Sequence, residues 1–502
     1  MNFTAAKQEA IIHLGKSGQV VFTLEALKFI KEEEFPQVTV TNYPVEPHIK
    51  RAPIQLKTVK SGWQVTCLDQ PGYRHWRMVF SPKALIFPTR EGEYISNPLK
   101  FPPYSTYSLS YPGTASTKCV IIFFPDNTGL LVGAKPSLNW AKISLTLGEN
   151  GSFCLKFLQN QEDLFLIPFA DDWEKAVKSF RKVAFGQEKV AKKPQILTEP
   201  RFSLQMGIRD FFGRSYINSF TELEPIINLY RDRLGPRNIV HLFATNAAGF
   251  DQLFPDFAID SRLGGEKGLA KLVSQLHKQN LYVSHHFNPR IADFRWLEKN
   301  PQFKEAVIIN PQGAYNSPWV EFYKGAVYFV LDPNHPLVQE YSLKTIKYFQ
   351  KMGFDYVEID QIAYQRNLYT RAGGFGSGYQ RLIDQTAKMG MKFWIEGVSD
   401  IFDLPADCFC QVLQRDRPEM WETEENRRGY VYGTAFTRFF RCLQPFTPIS
   451  FQLVTEKCKV DLIAKRMKTA QNLKANVYDL ELGFVDKTYI ARLNKVLQAV
   501  KK

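Results

Sequence analysis

Residues 353–397 read GFDYVEIDQIAYQRNLYTRAGGFGSGYQRLIDQTAKMGMKFWIEG, and this stretch decides the fold. Two short apolar runs, FDYVEID and KFWIE, flank a segment whose apolar residues recur at helical spacing over 377–389. A strand, a helix and a second strand of these lengths predict parallel strands, because the helix carries the chain back to the edge from which it started. Each run also ends in a carboxylate, Asp360 and Glu396.

Working outward, the alternation repeats. FSLQMGI precedes a helix over 219–234, NIVHLFAT a helix over 266–279, and LYVSHHFN and VYFVLD a helix over 337–352; CFCQVL follows KFWIE. About 300 residues of such repeats suit a closed eight-stranded barrel better than an open sheet. No G-x-G-x-x-G turn follows the first strand, as a dinucleotide fold would require. ANVYDLELGF and YIARLNKVLQAVKK are the candidates for the last strand and helix, and 417–450 reads as an irregular loop or a further βα unit.

Upstream the pattern changes. From Val20 to Leu166 the chain shows short alternating or apolar runs broken by Pro, Gly and Asn, among them CVIIFFPDNTGLLVGAKPS and ISLTLGENGSFCLKFL, the pattern of a β-sandwich. The ENG between the last two runs predicts a hairpin, since Asn-Gly accepts the positive φ of a tight turn. DDWEKAVKSFRKVAF sets Trp173, Val177, Phe180 and Val183 or Ala184 at helical spacing, so one amphipathic helix closes the region. The expected α/β architecture is thus a β-sandwich with its closing helix over 1–185, a charged, Pro-bearing linker over 186–199, and a (β/α)8 TIM barrel over 200–502.

Composition narrows the function. The 502 residues carry a formal charge of +14, but the basic residues are dispersed, and the clusters at Lys189–Lys193 and Lys457–Lys468 read as linker and solvated helix face. No basic stripe interleaved with aromatics marks a nucleic-acid surface, so the charge points at most to an anionic carbohydrate. Aromatics reach 14%, which suits both large cores and sugar-binding clefts. Seven cysteines, at 67, 119, 154, 408, 410, 442 and 458, are odd in number and scattered, which predicts reduced thiols and a cytoplasmic setting. Cys408 and Cys410 share a face as buried thiols, with no second pair to complete a zinc set. No secretory leader and no membrane span is read, and neither metal nor cofactor is called for. The oligomeric state is not legible.

In a barrel of this kind, functional side chains gather where the strands end and the βα loops begin. Those positions hold Asn246, Asn288 with Arg290, Asp332, Asp360, Glu396, and Arg415 with Asp416. Asp360 and Glu396 close strongly apolar runs on adjacent strands, which places both carboxyls in the cleft. Glycoside hydrolysis uses such a pair, one group attacking the anomeric carbon and one protonating the leaving oxygen. Strand neighbours lie about 5 Å apart, which suits a retaining pair better than the wider inverting gap. Glu358 shares the parity of Asp360 and needs a basic partner inside the barrel. Of His285 and His286 only one can face inward, as a structural or substrate-bonding group; the H-x-H of a metal-dependent amidohydrolase is absent. Asn288 and Arg290 read as hydroxyl or carboxylate ligands, Trp394 as the apolar neighbour of Glu396, and Arg415 and Asp416 as substrate ligands or an internal ion pair.

The segments FPTREG, YPGTASTKCVIIFFPDNTGLLVGAKP, DWEKAVKSFRKVA, GFDQLFPDF, LYVSHHFNPRIAD, LDPNHPLVQEY, GFDYVEIDQ and WIEGVSDIF, taken in order, resemble an uncharacterised glycosidase-like family related to the endo-α-N-acetylgalactosaminidases, whose barrels are retaining. The resemblance implies that Asp360 is the fourth-strand nucleophile, that Glu396 is the fifth-strand acid/base, and that GFDQLFPDF, with Asp251 and Asp256, is a sugar-binding loop. The chain departs from that family in TRAGGFGSGYQ, which keeps the glycines of the intervening loop but not its histidines, and in LFATNAAGFD, where a Trp is expected. The function expected is hydrolysis of an oligo- or polysaccharide through a glycosyl-aspartate. The alternatives are a transglycosidase and a catalytically silent carbohydrate-binding protein.

Overall fold

The computed structural model describes residues 2–184 and 201–500, apart from 7–8, 15–19, 30–48, 69–72, 90–91, 97–105, 112–114, 138–140, 149–150, 161, 309–318, 322–324, 363–374, 401–403, 406, 413–433, 446 and 455–462. The proposed linker and the cluster at Lys189–Lys193 therefore lie outside the described residues, as do Arg415 and Asp416.

Eight strands close the barrel: Arg201–Gly207, Ile239–Phe243, Tyr282–Phe287, Tyr356–Ile359, Lys392–Glu396, Phe409–Val412, Ile449–Val454 and Val477–Phe484. All pair parallel in chain order, and the eighth returns to the first. IVHLF is buried along its whole length, as a strand covered by helices on one side and by the barrel interior on the other must be. Helix Gly265–Lys278 turns Leu269, Leu272, Val273 and Leu276 onto the barrel, and each such buried side chain contributes about 1.5–3 kcal/mol. The inside and outside of the barrel are set by parity. Val357, Ile359, Phe393 and Ile395 join the core under the helices, whereas Tyr356, Trp394, Phe409, Ile239 and Val477 pack on one another within the barrel.

Two readings are corrected here. VYFVLD is not part of the barrel: Ala326–Val330 pairs antiparallel with Ile291–Asp293 and Trp319–Glu321 in a small separate sheet. An apolar run of strand length records that it will pair, not with what. The seventh barrel strand is instead ISFQLV, a run passed over because it falls at the edge of the irregular 417–450 region. ANVYDLELGF and YIARLNKVLQAVKK do supply the eighth strand and the last helix, Tyr489–Val500.

The N-terminal part is a pair of antiparallel sheets of eight strands each, and its first strand is Asn2–Ala6. Ala141–Leu147 alternates buried and half-buried side chains without a break, and it forms the expected hairpin with Phe153–Asn160. Helix Trp173–Ala184 buries Ala176, Val177, Phe180 and Ala184. One strand of the second sheet comes from far along the chain: Thr434–Ala435, between the sixth and seventh barrel strands, pairs with Glu93–Ile95. Cys408 and Cys410 are buried in the core outside the barrel wall. No helix among the described residues is long and apolar enough to cross a membrane.

Candidate active site at the carboxyl end of the barrel

Asp360 stands one residue past the fourth strand, and its backbone N–H donates to the Phe287 carbonyl at 2.8 Å, which fixes its direction. Its carboxylate Oδ2 accepts from Asn288 Nδ2 at 2.7 Å and lies 3.3 Å from His286 Nε2. Burial pushes the carboxyl up to about 7; the nearby charges of Glu358 and Asp251 push the same way, while hydrogen bonds from Glu396 and Asn288 oppose them. Gln361 follows with a left-handed φ of 60°, a conformation that turns its N–H toward Glu396 Oε2 at 3.2 Å. The Asp360 and Glu396 carboxyls are close enough to share a hydrogen bond. Two carboxyls in that relation cannot both be ionised at low cost.

Glu358, two residues deeper, has the basic partner its parity demands. His241 Nε2 is 2.9 Å from Glu358 Oε2, and His241 Nδ1 meets Ser284 Oγ at 3.0 Å. Burial drives the imidazole well below its usual pKa and lifts Glu358 to about 7, so a neutral His241 and Glu358 hold a single proton between them. Asp479, inward on the eighth strand, is likewise lifted to about 7 by burial, and it accepts from Gln411 Nε2 at 3.4 Å. The barrel interior beneath Asp360 is thus lined with buried carboxyls and a neutral imidazole.

The other expected site residues separate. Asn288 turns back on itself, its Oδ1 accepting from Arg290 N–H at 2.9 Å, and Arg290 Nη1 donates to Gln361 Oε1 at 3.3 Å, so this pair braces the turn that carries Asp360. The loop GFDQLFPDF is tied down by Asn246, whose Oδ1 accepts from Gly249 N–H at 3.0 Å and whose Nδ2 donates to the Asp256 carbonyl at 3.1 Å. Asp251 faces Asp360 closely enough to raise its pKa. Asp256 turns the other way: its Oδ1 accepts from Ala258 N–H at 3.0 Å, and its charge acts on Tyr341 and Tyr348 of helix Pro336–Lys351. Asp332 caps its own turn through Asn334 N–H at 2.8 Å. Trp394 is 1% exposed and stacks on Phe409 at 5.1 Å beneath the site, so it forms a floor and not an open platform. Phe393, the residue before it, faces the helices.

Other contributors were left open or passed over in the sequence. His286 is the inward member of the histidine pair, a choice the sequence left open; His285 faces the helices, stacked on Phe349 at 4.1 Å with Nε2 2.8 Å from Thr245 Oγ1. The parity of His286 with Asn288 in LYVSHHFN was the available signal. His241 and Asp479 could have been found the same way, as polar letters at alternate positions of apolar strands. Opposite the carboxyls, Phe243, Phe250 and Phe484 meet at 5.1–5.8 Å over the first, second and eighth strands. Gly207 makes room for them: a Cβ there would sit 2.5 Å from Phe484 and 2.7 Å from Phe243. One side of the site is therefore apolar.

By sequence, no protein-family model and no curated protein matches the chain. By structure, it is similar to the α-N-acetylgalactosaminidase NagBb of Bifidobacterium bifidum, with a TM-score of 0.65 at 10% identity, covering 100% of this chain and 92% of that one. The likeness is one of fold. It extends to the α-galactosidase TtGalA of Thermus thermophilus, solved with p-nitrophenyl α-D-galactopyranoside (TM-score 0.61, 12% identity, 97% and 94% covered). A GH31 dextranase of Flavobacterium johnsoniae, complexed with glucose, is also similar (TM-score 0.52, 10% identity, 100% and 67% covered). In each case the match spans the N-terminal sheets as well as the barrel, so the two-part architecture is shared.

Proposed function

We propose that this chain is a retaining glycoside hydrolase in which Asp360 is the nucleophile and Glu396 the acid/base. The observation that carries the reading is the pair itself, two carboxyls in contact at the ends of adjacent parallel strands in a closed barrel. Structural likeness to enzymes named for glycoside substrates supports it. A retaining pair stands about 5–5.5 Å apart around its sugar and an inverting pair farther still, so carboxyls this close favour the retaining arrangement. Glu396 is half-buried, whereas Asp360 is buried.

In the first step the Asp360 carboxylate attacks the anomeric carbon as the bond to the leaving oxygen breaks, and Glu396 gives its proton to that oxygen. Asn288 and His286 steady the attacking carboxylate. In the second step Glu396, now a carboxylate, takes a proton from water. The water oxygen bonds to the anomeric carbon and Asp360 leaves as carboxylate. The substrate is a carbohydrate, oligomeric or polymeric, that presents a polar edge to Asp251 and an apolar face to Phe250.

Aryl α-galactoside and aryl N-acetyl-α-galactosaminide head the substrate panel, with their β anomers beside them. With the substrate cleaved, NMR of the first product should show the configuration of the starting glycoside. Asp360→Asn should lower turnover by several orders of magnitude, and azide added to Asp360→Ala should yield a glycosyl azide of inverted configuration. Near-normal turnover in Asp360→Asn would remove this residue from the chemistry.

A further inference from the structure

Two of the sequence segments singled out above, FPTREG and YPGTASTKC, contain residues of the N-terminal part, Gly92, Tyr111 and Ser116, that meet the barrel's βα loops. The second is the more telling. Ser116, Thr117 and Lys118 are each wholly buried, an unusual position for three consecutive polar residues of a β domain. They surround Asp400, which lies four residues beyond Glu396 on the loop leaving the fifth strand. The Tyr111 hydroxyl donates to Asp400 Oδ1 at 2.7 Å, and Asp400 N–H donates to the Ser116 carbonyl at 2.9 Å. Lys118 Nζ donates to Ser137 Oγ at 3.1 Å, pairs with Glu162, and lies within electrostatic reach of Asp400.

Between Glu396 and Asp400 the chain has little slack. Gly397 is left-handed with φ 82° and bridges Gln411 on the sixth strand, and Val398 and Ser399 are buried. FPTREG holds the next loop in the same way: Gly92, with φ 118°, accepts from Phe436 N–H at 2.8 Å, and a Cβ there would lie 2.8 Å from the Phe436 carbonyl. An apolar contact would suffice to glue two domains. Buried hydrogen bonds to a carboxylate fix direction as well as proximity, and leaving that carboxylate without them is costly.

We propose that the N-terminal domain is a positioning part of the active site, its Tyr111–Ser116–Lys118 segment gripping Asp400 and thereby setting where the Glu396 carboxyl stands. Tyr111 and Asp400 touch no substrate; they act through the loop. This rests on the reading of Glu396 as acid/base, and the test keeps the two apart. Hydrogen exchange of the full chain, read on a peptide spanning 396–400, should quicken in Tyr111→Phe and in Asp400→Ala while helix Gly265–Lys278 stays unchanged. Kinetics should then show a loss of roughly tenfold or more in kcat/KM on glycosides with poor leaving groups and little loss on activated aryl glycosides, the pattern of weakened proton donation. Asp400→Asn, which keeps an oxygen for the Tyr111 hydroxyl, should recover most of that loss. Unchanged exchange in Tyr111→Phe and Asp400→Ala overturns the inference, as does faster exchange with equal losses on both substrates. Glu396→Ala is the control. If it shows no leaving-group dependence, the acid assignment itself fails, and the exchange arm alone decides whether the N-terminal domain holds this loop.

Discussion

A buried carboxyl records its surroundings in its protonation, and Glu358 gives the clearest case. Burial lifts it to about 7 from an ordinary value of 4.5. Between those pH values the folded protein holds a proton that the unfolded chain has released, so stability from this group is full below about 4.5 and falls as pH rises to about 7. Glu358→Gln has no such proton to lose and keeps groups able to bond His241. The variant should therefore gain on the parent across that window, by on the order of 1–3 kcal/mol, and the gap should be constant above it. Thermal unfolding of both proteins from pH 4 to 9 measures this; a gap independent of pH would mean that Glu358 is ionised in the folded state. The need for a basic partner was legible from parity alone. That the partner is His241, kept neutral by its own burial, was not, because nothing in IVHLF says which strand faces it across the barrel.

At the scale of elements, the loop after the second strand shows how local geometry holds Asp251, the proposed binding group. Gly249 has φ 103°, and an added Cβ would run into the Asp210 carbonyl oxygen. Gly249→Ala must therefore shift the turn that Asn246 clamps and that carries Asp251. It should cost about 1–3 kcal/mol in stability. If Asp251 meets substrate, KM should rise more than kcat falls; a variant with parental melting temperature and KM would show that the turn has slack. Helices over 266–279, 337–352 and 377–389 were placed to within two residues of where they form, because each writes its buried stripe every three or four positions, while the stretch 219–234 opens with a 3-10 turn, Phe220–Leu223, before the α-helix Glu224–Leu234. Strands were less secure: VYFVLD is the more apolar of the two runs, yet only ISFQLV belongs to the barrel.

For the whole molecule, the sandwich and barrel are bound by more than a linker. Thr434–Ala435 extends the second sheet, Trp173 packs on Phe436 at 5.6 Å, and Phe439 and Leu443 share a core with Val177 and Phe180. Cleavage within 186–199, the charged stretch expected to be nicked first, should leave two fragments that co-elute in gel filtration and separate only in denaturant. Fragments that part under native conditions would show the interface to be weak. The sequence by itself determined the repeating βα units, the sandwich pattern ahead of them, and Asp360 and Glu396 as carboxylates ending adjacent strands, because period, parity and chain order are local properties that survive in one dimension. Only the tertiary structure decided which apolar runs close the barrel, that Asp251 turns toward Asp360 while Asp256 turns away, that Trp394 is a floor, and that Tyr111 reaches Asp400 across 289 residues. Those outcomes depend on which surfaces meet once the barrel closes, and pairing energies between distant segments leave no periodic trace in the chain.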